Sequence, residues 1–242
     1  MKTALVTGSS RGIGKAVAEQ LVKDGYKVYL HGASHSAKLQ ETADELRRCG
    51  GAVEVVAADL CDLNETKEVK DRIGAVDVLV LNASLQYRTP WYEISESAAY
   101  EQINCNLLSS LILIQAFAPH MQAQKWGRII TIGSVQETKP HPDMLIYSAS
   151  KAAQTNMVQS LALQLAGDGI TVNNVAPGVI YTDRNVEALA DAEYAKKVTD
   201  SIPVGFYGEP HDIAGIVSLL CSEQGRYITG QSIFVDGGKS VQ

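Results

Sequence analysis

The segment TALVTGSSRGIG, residues 3–14, runs from a short apolar stretch directly into a glycine-rich loop. The apolar stretch predicts a buried strand, and the apolar spacing over 13–24 predicts an amphipathic helix after the loop. Gly8 permits a tight turn, Gly12 lets the backbone approach a pyrophosphate, and Gly14 allows the helix to pack closely on the strand. The spacing differs from GxGxxG, and an ordinary strand-to-helix turn is the alternative interpretation. The loop therefore predicts a unit that can hold a dinucleotide.

The same strand and helix alternation continues along nearly the whole chain. Further buried strands are predicted at 27–30, 53–57, 77–81, 128–132, 170–176 and 232–235, and further helices at 38–48, 62–73, 97–123, 148–166 and 211–221. Repeated crossovers of this kind build a parallel sheet that is covered on both faces. We therefore predict an α/β protein: a single-domain doubly wound Rossmann fold over residues 1–242, with a seven-stranded parallel sheet and helices on both faces.

One segment interrupts the alternation between the sixth strand and the last helix. Residues 181–210 carry only short helical patterning, and they are longer than a connection in a compact domain usually is. Ligands of open parallel sheets bind beyond the carboxyl ends of the strands. We therefore expect this segment to be a lid over a substrate, with a surface excursion as the alternative.

Composition and charge exclude several classes of function. The chain has 242 residues, 45% hydrophobic, with a net charge of −6 and no run rich in Lys or Arg that would follow a nucleic acid or an anionic membrane. Neither a signal peptide nor a long apolar span is recognisable. The four scattered cysteines form no CxxC pair and no metal-ligand cluster. We expect a cytoplasmic protein with reduced thiols and no metal, nucleic acid or membrane partner.

The end of the second predicted strand bears on the choice of dinucleotide. Folds of this type that prefer NAD carry an acidic residue there, which accepts hydrogen bonds from the ribose hydroxyls. This chain has His31 and Ser34 in that stretch and no carboxylate, and Arg11 in the glycine loop offers a cationic fork for a phosphate. The pattern favours NADP(H), with imidazole and hydroxyl donors near a 2′-phosphate. The alternative is that these are solvated loop residues.

The stretch YSASK, residues 147–151, places a tyrosine and a lysine one helical turn apart. Residues i and i+4 share a helix face, so the phenol of Tyr147 and the ammonium of Lys151 can approach the same volume. A free tyrosine has a pKa near ~10, and a nearby cation lowers it toward a range suited to proton transfer. Ser134, at the end of the fifth predicted strand, could hydrogen-bond the same reacting oxygen. For each of these residues in isolation, a packing or surface role is the more common one.

Taken together, these motifs resemble the short-chain dehydrogenase/reductase family. The resemblance rests on TGSSRGIG at 7–14, Ser134, YSASK at 147–151 and PGVIYT at 177–182, and it covers nearly the whole chain. It implies Tyr147 as general acid and base, with Lys151, Ser134 and an Asn that routes protons to the lysine through water. The Leu and small residues that follow Asn106 resemble the family pattern Asn-Leu-x-Ser, so the resemblance selects Asn106 and not Asn104 as that Asn. The C-terminal YITGQSIFVDGG resembles a strand at a subunit interface, which implies a homotetramer or a homodimer.

The resemblance also implies a set of residues around the dinucleotide. Asp59 would approach the adenine, although it could instead cap the helix that begins near Leu63. The fourth strand departs from the family pattern Asn-Asn-Ala-Gly, because LNAS at 81–84 has Leu81 for the first Asn and Ser84 for the Gly. The predicted cofactor contacts are Gly8, Ser10, Arg11, Gly12, Ile13, Gly14, His31, Ser34, Asp59, Leu60, Asn82, Ala83, Ser84, Tyr147, Lys151, Pro177, Gly178, Ile180 and Thr182.

These expectations define a predicted reaction and two alternatives. The predicted activity is NADP(H)-dependent transfer of a hydride between nicotinamide and a small-molecule carbonyl or secondary alcohol. One alternative is a 3-oxoacyl-[acyl-carrier-protein] reductase, for which the resemblance implies basic residues at the pocket mouth. Arg128 fits that expectation, but Asp168 stands where a basic residue would be expected. The other alternative is a dinucleotide-binding module without catalysis, which has no need for a tuned phenol.

Overall fold

All seven strands lie parallel in one sheet. The computed structural model describes residues 1–183, 185–186 and 190–242, and within them the sheet order is β3-β2-β1-β4-β5-β6-β7. This order and the helices on both faces confirm the predicted doubly wound fold. The strands are β1 Thr3–Val6, β2 Lys27–Gly32, β3 Val53–Ala57, β4 Val78–Leu81, β5 Gly127–Ile132, β6 Ile170–Pro177 and β7 Ser232–Val235.

Helices cover the sheet on two sides and enclose two separate cores. In the described part of the chain they are α1 Gly12–Lys23, α2 Ala37–Arg48, α3 Leu63–Ile73, α4 Glu96–Ile103, α5 Ser109–Ala123, α6 Leu145–Leu165, α7 Ala192–Asp200 and α8 Pro210–Cys221. Side chains alternate along β1, so Ala4 and Val6 pack in one core and Leu5 in the other. The first core includes residues of α1, α2 and α8, and the second includes residues of α3, α5 and α6. Both faces are therefore buried, as the apolar strand sequences require.

Two helices differ from their predicted limits by more than one residue. The helix predicted over 97–123 is divided into α4 and α5 by a π-helical turn at Asn104–Leu108. Apolar periodicity does not distinguish such a turn from a continuous helix, because an apolar helical pattern continues on both sides of the extra residue. Helix α6 begins at Leu145, earlier than the predicted start, and Tyr147 lies in its first turn.

The long segment before α8 folds back against the end of β6. Its described part contains α7, an isolated parallel bridge between Ile180 and Gly208, and a stacked pair of Tyr181 and Tyr207 with ring centroids 5.6 Å apart. The lid predicted for 181–210 includes residues 184 and 187–189, which lie outside the described residues. None of the helices in the described part of the chain combines the length and apolarity needed to cross a membrane.

We expect Gly14→Ala to unfold at lower temperature and to lose dinucleotide binding. A Cβ at Gly14 would collide with the carbonyl oxygen of Gly8 and lie 2.6 Å from Nδ2 of Asn82, so the first turn of α1 would have to move. Gly215→Ala is the matched control, because that helical position has open space around it and alanine is the better helix former. Thermal unfolding and fluorescence titration with NADPH measure both effects. Equal behaviour of the two variants would contradict the proposed close packing at Gly14.

Candidate active site

The glycine loop is fixed by hydrogen bonds from the neighbouring strand end. Gly8 and Gly12 adopt φ angles of +63° and +55°, which strongly favour glycine. Asn82, after β4, donates from Nδ2 to the carbonyl oxygens of Thr7 at 2.9 Å and Gly8 at 3.0 Å. The hydroxyl of Thr7 in turn accepts from the backbone N–H of Asn82 at 2.9 Å. The side chain of Asn82 therefore holds the loop open in one conformation.

A cavity of about 730 Å³ follows the carboxyl ends of the central strands. This volume is typical of a site for a cofactor-sized ligand, and its position at the strand-order reversal is where open parallel sheets bind ligands. Most predicted site residues line it: Gly8, Ser10, Arg11, Gly12, Ile13, Gly14, His31, Asp59, Leu60, Asn82, Ala83, Ser84, Ser134, Tyr147, Pro177, Gly178, Ile180 and Thr182. Lys151 and Asn106 are buried behind this wall, and Ser34 is an exposed residue outside the lining.

The tyrosine and lysine of α6 meet as their spacing predicts. Nζ of Lys151 lies 5.7 Å from the centroid of the Tyr147 ring. The lysine is only 1% exposed, and its ammonium donates to the carbonyl oxygen of Ile132 at the end of β5 at 2.7 Å. A buried ammonium requires such acceptors, because desolvation disfavours its charged form. The pair therefore places a fixed positive charge next to a phenol at the cavity wall.

Ser134 follows β5 in a loop that a polar cluster holds in place. Its hydroxyl accepts from the backbone N–H of Gln136 at 3.2 Å. One carboxylate oxygen of Glu137 accepts from Thr155 of α6 at 2.9 Å and from Asn174 of β6 at 2.8 Å. These bonds tie the Ser134 loop to the helix that carries Tyr147 and to the neighbouring strand. Ser134 and Tyr147 therefore line the same cavity from elements with a fixed relative position.

Asn106 lies in the π-helical turn and organises the wall around Leu85. Its Oδ1 accepts from the N–H of Leu85 at 2.8 Å, while Nδ2 donates to the carbonyl of Leu85 at 2.9 Å and to Oγ of Ser150 at 3.1 Å. Asn104, the alternative, instead donates to the carbonyl oxygen of Cys61 at 3.2 Å. Of the two, Asn106 is the one joined to α6.

The structure corrects the donor role expected of His31. The imidazole is 2% exposed, and Nδ1 accepts from the backbone N–H of Gly8 at 3.2 Å. Because Nδ1 accepts, Nε2 carries the proton and donates to the carbonyl of Ala58 at 3.0 Å. Both nitrogens are committed to the backbone. His31 therefore supports the glycine loop and offers no donor to a phosphate.

The exposed cation of the glycine loop is paired with the segment after β6. Nη1 of Arg11 lies 3.3 Å from Oδ2 of Asp183, and Nζ of Lys38 lies 2.7 Å from the same oxygen. The hydrogen bond from Lys38 lowers the pKa of Asp183. Two cations and one carboxylate of the segment after β6 therefore meet at the mouth of the predicted 2′-phosphate site.

Two open points about the cofactor wall are answered by local geometry. Helix α3 is capped by Asp62, whose side chain accepts from the N–H of Asn64, so Asp59 is not the cap. Asp59 is exposed and accepts from the N–H of Cys61 at 3.0 Å. In the described chain only Lys125 among the non-glycine residues has a positive φ, so Ser84 needs no conformation reserved for the family's glycine.

The comparisons with known proteins agree with this arrangement. The family model described as short chain dehydrogenase matches residues 2–193. The chain belongs to this family. It is 37% identical over 241 residues to the 3-oxoacyl-[acyl-carrier-protein] reductase FabG of Staphylococcus aureus, covering 98% of this chain and 97% of that one.

Solved structures of family members superpose on the chain over nearly its full length. A 3-oxoacyl (acyl-carrier-protein) reductase from Agrobacterium tumefaciens with NADP bound matches with a TM-score of 0.93 and 37% identity, covering 98% of this chain and 93% of that one. A gluconate 5-dehydrogenase from Burkholderia cenocepacia in complex with NADP and tartrate matches with a TM-score of 0.92 and 30% identity, covering 100% and 96%. The family is thus clear, while the relatives differ in the substrates that they are named for.

Sequence reasoning missed three residues that the short-chain dehydrogenase fold brings to the site. They are Lys38 beside Arg11, Glu137 below Ser134, and Gln154, whose Oε1 lies 3.3 Å from Nζ of Lys151. Only Gln154 carried a usable signal, because a residue at i+3 shares a helix face with Lys151. Lys38 and Glu137 reach their partners through contacts between distant segments, which local spacing does not encode.

We expect His31 to make folding stability depend on pH between 6.5 and about 4. Burial lowers the pKa of His31 from its ordinary value of 6.5 to about 4 in the folded state. The unfolded state therefore binds more protons in this pH window. The stability that neutral His31 contributes to the folded state is fully present above pH 6.5 and is lost as pH falls toward 4. The loss should approach ~3 kcal/mol in the free energy of unfolding. Urea unfolding at a series of pH values measures it.

His31→Asn should flatten this part of the pH profile, because its amide oxygen can still accept from Gly8 but does not titrate. The exposed His211 supplies the control, and His211→Asn should keep the wild-type slope. A wild-type slope in His31→Asn would show that other groups cause the acid sensitivity.

Proposed function

We propose that the protein is an NADP(H)-dependent oxidoreductase that interconverts a small-molecule carbonyl and a secondary alcohol. The observation that carries this proposal is the buried Lys151 ammonium, 5.7 Å from the Tyr147 ring at the wall of a dinucleotide-sized cavity. Burying a charge is costly, and a module that only binds a dinucleotide gains nothing from it. The geometry therefore favours catalysis over simple binding.

The residues present fit a dinucleotide. The glycine loop at the start of α1 offers backbone N–H groups and a helix N-terminus to a pyrophosphate, with Asn82 holding that loop. Residues 58–61 and 82–84 would flank the adenosine half, and residues 177–182 the nicotinamide half. When bound, the nicotinamide ring would supply or accept the hydride. The relatives from Agrobacterium tumefaciens and Burkholderia cenocepacia hold NADP, which supports the same cofactor here.

The chain's own groups would handle the proton. Tyr147 Oη would donate to the carbonyl oxygen during reduction and take the proton back during oxidation. Lys151 favours the phenolate by its charge, since opposite charges stabilise the ionised form. The hydroxyl of Ser134 would hydrogen-bond the same oxygen and hold it in place. Asn106 would keep α4, α5 and the Leu85 wall in register with α6.

Turnover should require the hydroxyl of Tyr147 but not that of the exposed Tyr227. We expect Tyr147→Phe to bind NADPH as the wild type does but to lose about 10²–10⁴-fold in kcat, the usual contribution of a general acid. NADPH absorbance with a panel of β-ketoacyl thioesters, α-diketones, sugars, hydroxy acids and steroids measures turnover. Tyr227→Phe, at an exposed tyrosine, is the control. Equal turnover by wild type and Tyr147→Phe would refute the mechanism.

Selectivity for NADPH should be set by the charges around Asp183. We expect Arg11→Ala to weaken NADPH binding by about tenfold and to leave NADH binding within about twofold, because only NADPH carries the 2′-phosphate. Asp183→Asn should strengthen NADPH binding, because it removes a carboxylate that competes with the phosphate for Arg11 and Lys38. Fluorescence titration of both nucleotides at low salt measures the preference.

Arg48→Ala controls for the loss of one positive charge, because Arg48 bonds the carbonyl of Asp44 on α2 and should leave the preference unchanged. An unchanged preference in Arg11→Ala would show that Arg11 does not read the phosphate.

The cavity favours a small polar substrate, and a carboxylate would suit its charge. Arg88, Lys139 and Lys239 belong to the lining. The Lys139 ammonium donates to the backbone oxygens of Lys239 and Gln242, and the Lys239 ammonium donates to the hydroxyl of Ser201. Of the two carboxylates that the described residues bring to the lining, Asp183 is paired with Arg11 and Lys38, and Asp59 would lie at the adenosine end. Cationic linings attract anionic substrates and orient them. The relative that binds tartrate and is named for gluconate agrees with this inference. Hydroxy acids should therefore exceed matched neutral polyols in kcat/KM in the substrate panel.

Reduction of acyl-carrier thioesters is the second candidate, favoured by the FabG relative. Against it, Arg128 is 2% exposed, and its guanidinium lies 4.4 Å from the centre of the Trp126 ring. Asp168, where a basic residue was expected, accepts from Lys125 at 2.5 Å. A buried arginine does not attract an acidic carrier protein from solution. A kcat/KM that favours carrier-bound over free thioesters would overturn this ranking.

We further expect a cytoplasmic homodimer or homotetramer. β7 is an edge strand whose residues are only partly buried, and Leu163 on α6 is largely exposed, so both surfaces suit association. All four cysteines are free thiols, which agrees with a reducing compartment.

A further inference from the structure

A glutamine side chain spans the gap between the active-site lysine and the π-helical turn. Oε1 of Gln154 lies 3.3 Å from Nζ of Lys151. Its Nε2 donates to the carbonyl oxygen of Asn106 at 3.2 Å and to Oγ of Ser110 at 3.1 Å. Gln154 is 1% exposed. One amide therefore joins the lysine of α6 to the backbone of the turn that carries Asn106.

The amide is held in one orientation by its partners. An ammonium is only a donor, so it requires the oxygen end of the amide. The carbonyl of Asn106 is only an acceptor, so it requires the nitrogen end. Both N–H groups of Gln154 then have partners, as a buried amide requires. A flipped amide would place its N–H groups against the ammonium, which electrostatics disfavours.

The π-helical turn contributes the acceptor at the far end of this link. Ser109 donates its backbone N–H to the carbonyl of Asn104, so the turn Asn104–Leu108 is wider than an α-helical one. The carbonyl of Asn106 accepts from Gln154 and, at 3.4 Å, from the hydroxyl of Ser110. Turns of this kind are frequent at functional sites because they redirect backbone groups.

We propose that Gln154 is a positioning residue that takes the place of the relay water between Lys151 and Asn106. This inference rests on the proposed function, in which Lys151 tunes Tyr147. The amide oxygen of Gln154 stabilises the charged form of Lys151 and fixes the direction of its ammonium group. The amide nitrogen of Gln154 donates to the carbonyl of Asn106 and so holds the amide oxygen in place. A neutral amide neither gains nor loses a proton near neutral pH. The amide therefore cannot pass a proton between Asn106 and Lys151.

Among the described residues, Tyr147 and Cys105 are titratable groups close to the Lys151 ammonium, and Tyr147 provides the readout. Tyr147 lies on the same helix, and Cys105 lies in the π-helical turn. Burial raises the pKa of the Cys105 thiol, which favours its neutral form. A change in how Lys151 is held should therefore be reported by the Tyr147 phenol.

The decisive comparison is between Gln154→Leu and Gln154→Ala. Leucine fills the space but offers the Lys151 ammonium no acceptor. We therefore expect kcat near neutral pH to fall about tenfold and the titration midpoint of the Tyr147 phenol to rise by about one pH unit. Alanine leaves room for water, which can again bridge Nζ and the Asn106 carbonyl. Gln154→Ala should therefore be the more active variant and keep a midpoint near the wild-type value, although it is the less stable fold.

Two readouts measure this, and one of them needs no nucleotide. The first is the pH profile of kcat, with KM determined separately, on the most active compound of the substrate panel. The second is near-ultraviolet phenolate absorbance of nucleotide-free protein, taken as the difference between each variant and its own Tyr147→Phe derivative. Gln159→Leu, at an exposed position of α6, is the control and should change neither. Gln154→Met, of similar length, replaces Gln154→Leu should that variant not fold.

The outcomes separate the two proposals. A wild-type midpoint and wild-type kcat in Gln154→Leu would overturn the positioning role, even if Tyr147→Phe is inactive. A Gln154→Ala variant that is worse than Gln154→Leu in both stability and kcat would show a packing role only, and would also overturn it. Equal turnover by wild type and Tyr147→Phe would instead remove the proposed function.

Discussion

The hydrogen bond from the Lys151 ammonium to the carbonyl of Ile132 joins the helix of the site to the sheet. It fixes α6 against the carboxyl end of β5, next to Ser134. It also stabilises the buried ammonium, whose charged form desolvation disfavours. A second acceptor comes from Gln154, which connects the same ammonium to the π-helical turn. The position of Tyr147, one turn before Lys151, follows from this anchoring.

The dinucleotide end of the cavity is built on a second, independent set of bonds. Asn82 holds the carbonyls of Thr7 and Gly8 from one side, and His31 binds the N–H of Gly8 from the other. A neutral imidazole suits this role because it accepts on one nitrogen and donates on the other. The loop is therefore preorganised, which lowers the ordering cost when a pyrophosphate binds.

Much of this architecture could be predicted from the sequence because its determinants are local. The strand and helix periods identified all seven strands of the sheet, and the spacing of Gly8, Gly12 and Gly14 identified the loop. The four-residue spacing of Tyr147 and Lys151 predicted their approach, since one helical turn fixes that geometry. The division of the helix at 97–123 was not predictable, because a π-helical turn preserves the apolar pattern on either side.

The sequence by itself determined the fold class, the cavity edge and the residues that line most of it, because periodicity and glycine spacing act within one element or one turn. Only the tertiary structure decided what the polar side chains do. It turned His31 inward to the backbone, paired Arg11 and Lys38 with Asp183, and linked Lys151 to Asn106 through Gln154. Apart from the i+3 contact of Gln154 with Lys151, these contacts join segments far apart in the chain, and their formation depends on burial and side-chain direction, which no local pattern specifies.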